Sequence, residues 1–158
     1  MKFLLLLVLC LAGCATPRTP NQQGAGTDAH WQGKLSVKVY SSPVQAFSAQ
    51  FELQGSPQAG QLVLSSVLGS TLAQLEWRNG YAALRTSSEQ RSFESLEELA
   101  KRATGADIPV ADLFSWLQGQ QTVSAHWKAD LSELANGRIH AHSQGEPNPA
   151  ELKIILDQ

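Results

Sequence analysis

The feature that most constrains the fold is a period-two alternation of apolar and polar side chains that begins at Trp31. Trp31, Leu35 and Val37 share one face of an extended segment, and polar side chains occupy the positions between them. The same alternation returns over residues 47–53 after a Ser-Ser-Pro turn. Because successive side chains of a strand point to opposite faces, the pattern predicts strands that are apolar on one face only. Such strands are typical of an antiparallel sheet with one wet face.

Three more strands are predicted directly after these two. Residues 61–77 contain two alternating segments on either side of a turn. Asn79 and Gly80 then form the strongest short hairpin signal, and the following strand covers residues 81–86. The first half of the chain is therefore predicted to be a five-stranded meander.

The turn within residues 61–77 is unusual because its centre is apolar. Turn residues are normally polar or Gly, yet Val67 and Leu68 stand between serines and Gly69. One interpretation is that the loop folds back onto a neighbouring element. The other is that Leu68 is exposed for contact with a membrane or a lipid-bearing partner. The sequence pattern alone leaves both open.

The apolar period then changes to that of helices. Phe93, Leu96, Leu99, Ala100 and Ala103 fit one helical face, with a capping box at the start of the segment and a glycine at its end. A second short helix is predicted from residues 107–109 to Gly119, with its proline in the first turn.

Strands return in the last third of the chain. They are predicted over residues 122–131, around residues 138–142 and over residues 152–156, which gives about eight strands in total. An antiparallel sheet with one apolar face must cover that face, and the two helices are the apolar-faced elements available. The predicted fold is mostly β with two short helices: an incomplete antiparallel β-barrel, or half-barrel, capped by a helical lid around an apolar cavity.

The residues expected to line that cavity are large and apolar. The alternative is that they simply fill a solid core, which is the usual fate of such side chains. The candidates are Trp31, Leu35, Val37, Phe47, Phe51, Leu62, Leu64, Leu75, Trp77, Phe114, Leu117 and Trp127.

The N-terminus predicts export and lipidation. Residues 1–13 combine a lysine, an uninterrupted apolar stretch and small residues, which is typical of a signal peptide and too short for a transmembrane helix. Residues 11–14 (LAGC) resemble the lipobox of bacterial lipoproteins, which implies acyl chains on Cys14. A plain signal peptide cut after Gly13 or Ala15 is the alternative. The absence of Asp after Cys14 implies, by the same resemblance, the outer membrane. Residues 14–29 are then the lipidated cysteine and a flexible tether, and residues 30–158 a single domain.

Charge and motifs argue against several other functions. The net charge of −2 does not suit nucleic acid, which needs a concentrated basic surface. The sequence contains no nucleophile elbow, phosphate-binding loop or zinc-protease motif, so we expect no enzyme. His140 and His142 share one strand face, but two imidazoles without a third ligand make an incomplete metal site. We therefore expect no metal, no cofactor other than the acyl chains on Cys14, and a monomer.

Several segments resemble the LolB family of outer-membrane lipoprotein receptors. They are residues 31–35 (WQGKL), 47–53, 64–71 (LSSVLGST), 99–105 (LAKRATG) and 108–119. In the protruding loop the family commonly has Pro-Leu-Gly, and Val67 replaces that proline here. The chain is also shorter than the better-known members.

The resemblance implies a function that the residue pattern does not. LolB-type proteins accept acylated lipoproteins from the soluble periplasmic carrier LolA and insert them into the inner leaflet of the outer membrane. The partners would be lipoprotein cargo, LolA and outer-membrane lipid, and the domain would bind acyl chains. Leu68, flanked by Val67 and Gly69, would be the membrane-targeting residue. The family's carrier has an acidic mouth, and the candidate docking residues here are Lys34, Lys38, Arg78 and Arg85.

The alternative function belongs to a different class. A structural or assembly-factor lipoprotein would bind a protein partner through its sheet, with a filled core. A hydrolase would need a nucleophile and base that the sequence does not display.

Overall fold

Six antiparallel strands follow one another in the first part of the chain, and short turns join them. The computed structural model describes residues 29–124, 126–145 and 148–157. The strands are β1 (Ala29–Val39), β2 (Gln45–Gly55), β3 (Gly60–Ser65), β4 (Thr71–Arg78), β5 (Tyr81–Thr86), β6 (Gln90–Phe93), β7 (Trp127–Asp130), β8 (Arg138–Ser143) and β9 (Ala150–Leu156).

Two α-helices interrupt the strands, and local sequence signals define their ends. Helix α1 spans Leu96–Thr104, and the hydroxyl of its N-cap Ser95 accepts a hydrogen bond from the Glu98 amide at 3.1 Å. Gly105 ends α1 with φ of 73°, a left-handed conformation that glycine adopts without strain. Helix α2 spans Val110–Leu117 and follows Pro109. A single-turn 3₁₀ helix, Leu134–Asn136, precedes β8.

All nine strands form one antiparallel sheet in the order β6-β5-β4-β3-β2-β1-β9-β8-β7. The final strand returns beside the first, with Val37 opposite Leu152. Strands β6 and β7 are the edges and do not pair with each other in the described ranges, so the sheet stays open. The prediction of a mostly β fold with two helices and an unclosed antiparallel sheet is confirmed.

One face of the sheet, here called the inner face, carries the core, and the two helices pack on it. Val37, Phe51 and Trp77 are buried on this face, together with Leu99 of α1 and Phe114 of α2. The Phe114 ring meets the Trp31 and Trp77 rings edge-on, at centroid distances of 5.7 and 6.3 Å. These aromatic contacts hold α2 over the first strands, while α1 packs against β5 and β6.

The strand predicted over residues 122–131 is largely wrong. Of the described residues in this range, Trp127–Asp130 form a strand, and Val123 is fully exposed. Strand β7 pairs with β8 alone, and Trp127 lies opposite Ser143, the last residue of β8. Strand β8 therefore offers no pairing position for the described residues 122–124, and alternation without a partner does not make a strand.

A short strand was missed between the meander and α1. Phe93, predicted to be on the helix, ends β6 and lies opposite Ala82. The four residues of β6 are mostly polar and exposed, so they give no alternation signal. The strand exists because the exposed edge of β5 offers backbone groups for pairing.

The predicted signal peptide, Cys14 and nearly all of the predicted tether lie outside the described residues. Within the part that is described, no helix is long and apolar enough to cross a membrane.

Truncation of Leu99 tests the packing of α1 on the sheet. Leu99 is fully buried, so Leu99→Ala should lower the free energy of unfolding by about 2–5 kcal/mol through lost burial and the cavity left behind. Glu97→Ala, an exposed position on the same helix, should change it by less than about 0.5 kcal/mol. Urea unfolding followed by tryptophan fluorescence measures both. Equal, small effects would show that α1 does not pack on the core.

Candidate functional site

A partly enclosed recess of about 480 Å³ lies between the inner face of the sheet and the two helices. Its floor is made by β1–β6 and β9, and α1 and α2 form the opposite side. Most of its lining is aliphatic or aromatic, in contrast to the polar outer face of the same strands. The lining residues from the sheet are Leu35, Val37, Phe47, Phe51, Leu53, Leu62, Leu64, Leu72, Ala73, Leu75, Trp77, Leu84, Thr86, Glu89, Arg91, Phe93, Leu152 and Ile154.

The strand register places this lining in rows across the sheet. Leu53, Leu62, Leu75 and Leu84 lie opposite one another on consecutive strands β2–β5. The next row is Phe51, Leu64, Ala73 and Thr86, in which the third and fourth residues are small. On α1, the facing residues Ala100 and Ala103 are small as well. Short side chains on both sides leave the volume between them unfilled, which produces the recess.

Ten of the twelve sequence-predicted cavity residues border the recess, and Trp31 and Trp127 do not. Trp31 packs against the ring of Phe114 instead. Trp127 is buried at the β7 edge, where its indole Nε1 donates a hydrogen bond of 2.8 Å to the carbonyl of Asp107. That bond ties β7 to the connection between the two helices.

One end of the recess, here called its mouth, is the end at which its exposed lining residues lie, beside the β1–β2, β3–β4 and β5–β6 turns. Phe47 and Leu72 border the recess there and are about two-fifths exposed. Gly105, which follows α1, lies near the side chain of Gln45 at the start of β2, so the C-terminus of α1 reaches the same end.

Two cations at the mouth were not predicted from the sequence. Arg91 of β6 and Arg102 of α1 both line the recess. The Arg91 guanidinium pairs with the Glu89 carboxylate at 2.8 Å. The sequence gives no alternation over β6, so it does not indicate on which face of the sheet Arg91 lies. Arg102 lies in the last turn of α1, where basic residues are common for reasons of helix stability alone.

The loop between β3 and β4 projects its apolar pair into solvent. Val67 is 77% exposed and Leu68 is 91% exposed. The loop backbone is closed by Ser66, whose amide donates to the Ser70 carbonyl at 2.8 Å and whose carbonyl accepts from the Gly69 amide at 2.9 Å. Gly69 has φ of 82°, which few other residues adopt readily. These bonds fix the backbone conformation of the loop.

A β-bulge at the base of this loop sets the position of Leu72. Leu64 lies opposite Ala73, whereas Ser65 lies opposite Thr71, so Leu72 is the extra residue. Bulges re-aim side chains, and Leu72 borders the mouth while remaining partly exposed.

The four predicted docking cations do not meet at the mouth. All are exposed, and their positions in the register place them on the outer face of β1, β4 and β5, opposite the recess. Lys38 lies 4.6 Å from the Tyr40 ring centroid and Arg78 lies 4.8 Å from the Tyr81 ring centroid. The docking residues predicted from the sequence are Lys34, Lys38, Arg78 and Arg85.

His140 and His142 lie on the outer face and are exposed. Across the described ranges, no three His, Cys, Asp or Glu side chains gather into a group that could hold a metal ion. Two carboxyl groups near this strand have perturbed pKa values. Hydrogen bonds from the Ser132 side chain and backbone lower the pKa of Asp130. The Tyr40 hydroxyl donates to Glu151 at 2.8 Å and lowers the pKa of that carboxyl.

The open antiparallel sheet and the largely apolar recess define a class of protein: a mostly β protein with an apolar recess on the inner face of an unclosed sheet. Residues 28–153 match the family model described as outer membrane lipoprotein LolB. The chain therefore belongs to the LolB family of outer-membrane lipoproteins, as its sequence segments predicted.

Individual relatives agree with the family model. The outer-membrane lipoprotein LolB of Vibrio cholerae is 35% identical over 147 residues, covering 82% of this chain and 70% of the relative. That of Bordetella pertussis is 35% identical over 126 residues, covering 77% of this chain and 63% of the relative. That of Shewanella baltica is 33% identical over 126 residues, covering 75% and 58%. The chain thus spans roughly two thirds of the length of these relatives.

Removal of the Tyr40 hydroxyl tests the cause of the Glu151 shift. The hydroxyl stabilises the charged carboxylate, so Tyr40→Phe should raise the pKa of Glu151 towards its ordinary value. Because the folded-state pKa is lowered, this bond favours folding above the ordinary pKa, and the benefit fades as the pH falls. An NMR titration of the side-chain carboxyl carbon measures the shift. Tyr81→Phe is the control, and an unchanged pKa in Tyr40→Phe would contradict the assignment.

Proposed function

We propose that this protein is a membrane-anchored lipoprotein receptor. It accepts acylated lipoproteins from the periplasmic carrier LolA and inserts them into the inner leaflet of the outer membrane. The observation that carries the proposal is the largely apolar recess in a member of the LolB family.

The recess is proposed to hold acyl chains, with α1 and α2 as its lid. Burial of each methylene group is worth roughly 0.8 kcal/mol, so an acyl chain in water carries a large free-energy penalty. The lining offers one leucine row on the sheet and a helical side formed by residues such as Ala100, Leu113 and Leu117. An acyl chain between these surfaces replaces contact with water by contact with apolar side chains. Transfer then needs neither nucleotide nor metal, because each step joins one apolar environment to another.

The carrier is proposed to dock at the mouth of the recess. A direct handover between two mouths keeps the acyl chains out of water. Arg91 and Arg102 border this mouth. Because Arg91 pairs with the Glu89 carboxylate, Arg102 supplies the net positive charge for an acidic carrier surface. The cations predicted from the sequence lie on the outer face of the sheet, opposite the recess, so they do not border its mouth. They can contribute to long-range attraction of the carrier.

Cys14 is proposed to carry the acyl anchor. Several acyl chains make a firmer anchor than one, so the domain would stay beside the outer membrane, facing the periplasm. In that position the exposed side chain of Leu68 can insert into the apolar part of the membrane. A structural lipoprotein with a filled core is not favoured, because the helices and sheet leave a recess and the chain is a LolB family member.

Two adjacent residues of β3 provide a matched test of the recess. Leu64 faces the recess, whereas Val63 faces the opposite side of the sheet. Leu64→Gln should weaken binding of a fluorescent long-chain fatty acid by about tenfold, because the amide loses hydrogen bonds to water when the acyl chain covers it. Val63→Gln should leave the affinity nearly unchanged.

Fluorescence titration gives the dissociation constants, and urea unfolding shows whether each variant is folded. Equal affinities for folded Leu64→Gln, Val63→Gln and unsubstituted protein would place the fatty acid elsewhere. No uptake by any of the three would contradict the proposed function itself.

The exposed loop residue gives a second test. Leu68 makes little contact with the domain, so Leu68→Glu should leave the unfolding free energy within about 0.5 kcal/mol and fatty-acid binding unchanged. It should nevertheless slow delivery of acylated cargo from the carrier to vesicles, because a charged tip resists entry into lipid. Leu68→Phe keeps the tip apolar and should retain delivery. Vesicle flotation measures the delivered fraction, and normal delivery by Leu68→Glu would show that the tip has no membrane role.

A further inference from the structure

Exposed apolar side chains are concentrated at one end of the domain. Eight large apolar residues of the described chain are exposed, and six of them occupy the turns and strand ends beside the mouth. Val67 and Leu68 account for only two of these six. The six residues are Tyr40, Val44, Phe47, Val67, Leu68 and Leu72.

The strand register shows that the exposed apolar residues of the β1–β2 turn and those of the β3–β4 loop lie at the same end of the sheet. Strand β1 ends at Val39 opposite Gln45, and β3 ends at Ser65 opposite Gln50 of β2. The β1–β2 turn therefore extends further along the sheet than the β3–β4 loop. A stagger of this kind accompanies strand tilt in curved sheets, and tilt brings successive turns towards one plane.

The chemistry of the β1–β2 turn suits a lipid surface better than a protein pocket. Val44 follows Ser41, Ser42 and Pro43 and is an exposed aliphatic side chain in an otherwise largely polar turn. The neighbouring Tyr40 has an apolar ring and a polar hydroxyl, and Lys38 lies over that ring. Tyrosine and lysine are residues that settle at the boundary between headgroups and acyl chains.

We propose that the β1–β2 turn, residues 40–44 with Phe47, is a second membrane-contact element. Together with the loop at Leu68 it seats this end of the domain on a phospholipid bilayer. The mouth of the recess lies at the same end, so bound acyl chains leave the recess directly towards lipid. The release of acyl chains rests on the proposed function, whereas contact of the β1–β2 turn with lipid is measured independently of it.

The length of chain before β1 permits this orientation. Ala29 lies at the opposite end of the sheet from the turns, opposite Gly55. Strand β1 is about 33 Å long at 3.3 Å per residue. The chain from Cys14 to Ala29 reaches at most about 50 Å at full extension. An acyl anchor on Cys14 can therefore lie in the same bilayer that the turns touch.

Site-specific fluorescence tests the contact in the full acylated protein. Val44→Cys, Leu68→Cys and Asn79→Cys are each labelled with an environment-sensitive NBD probe and placed in vesicles of phosphatidylethanolamine and phosphatidylglycerol. Asn79 lies in the exposed β4–β5 turn at the opposite end, so it is the matched control. Unsubstituted protein, treated identically, reports any labelling of an unacylated Cys14.

The probes at Val44 and Leu68 should shift to shorter wavelength and be quenched several-fold more strongly by acyl-chain nitroxide lipids than the probe at Asn79. A response at Leu68 without one at Val44 would overturn the second contact and leave the proposed function standing. A response at Val44 only after addition of the carrier would assign the turn to a protein partner and also overturn it. Equal responses at all three sites would contradict the end-on orientation.

The length of the chain before β1 provides a second test of this orientation. Deletion of residues 17–24 shortens its maximum reach to about 25 Å, less than the length of β1. The probe at Val44 should then lose its response to lipid. Replacement of the same eight residues by a Gly-Ser segment of equal length should retain the response. A response that survives the deletion would overturn the end-on orientation, whereas fatty-acid uptake by the recess should be unaffected in both variants.

Discussion

The structure depends on one mismatch: a nine-stranded sheet has one apolar face, and two short helices must cover it. Helices of nine and eight residues are each only about 12–14 Å long at 1.5 Å per residue. Nine strands spaced about 4.8 Å apart span a much wider surface. Phe114 fills the centre by packing against Trp31 and Trp77, but the alanines of α1 do not fill the space above β3 and β4. Incomplete coverage is what leaves the recess between the helices and the sheet.

The same end of the molecule combines the recess mouth with apolar turn residues. Large apolar residues of this kind are usually buried in globular domains. Here Ser66 closes the loop below Leu68, and the bulge sets Leu72 beside the mouth. Hydrogen bonding of the backbone thus fixes the loop, while the side chains of Val67 and Leu68 remain exposed. This arrangement places exposed apolar side chains beside the opening of the recess.

Most of the fold could be predicted because its signals are local. The alternation in β1 and β2, the Asn-Gly turn before β5, and Ser95 and Gly105 around α1 each act within a few residues of chain. The wrong strand prediction at Val123 and the missed strand β6 have a common cause. Alternation at Val123 predicted a strand, but the partner strand ends at Ser143. Strand β6 forms with little pattern of its own because the edge of β5 is available for pairing. Pairing partners, not residue patterns, determine where such edge strands begin and end.

The sequence by itself determined the strand and helix types, the apolar face, the family and the apolar character of the β3–β4 turn. Tertiary structure decided which side chains border the recess, so that Leu64 lines it while Trp127 lies in the core beside Asp107. It also placed Arg91 and Arg102 at the mouth and the predicted docking cations on the outer face. The physical reason is that local patterns specify the face on which a side chain lies, whereas register between distant strands specifies its neighbours.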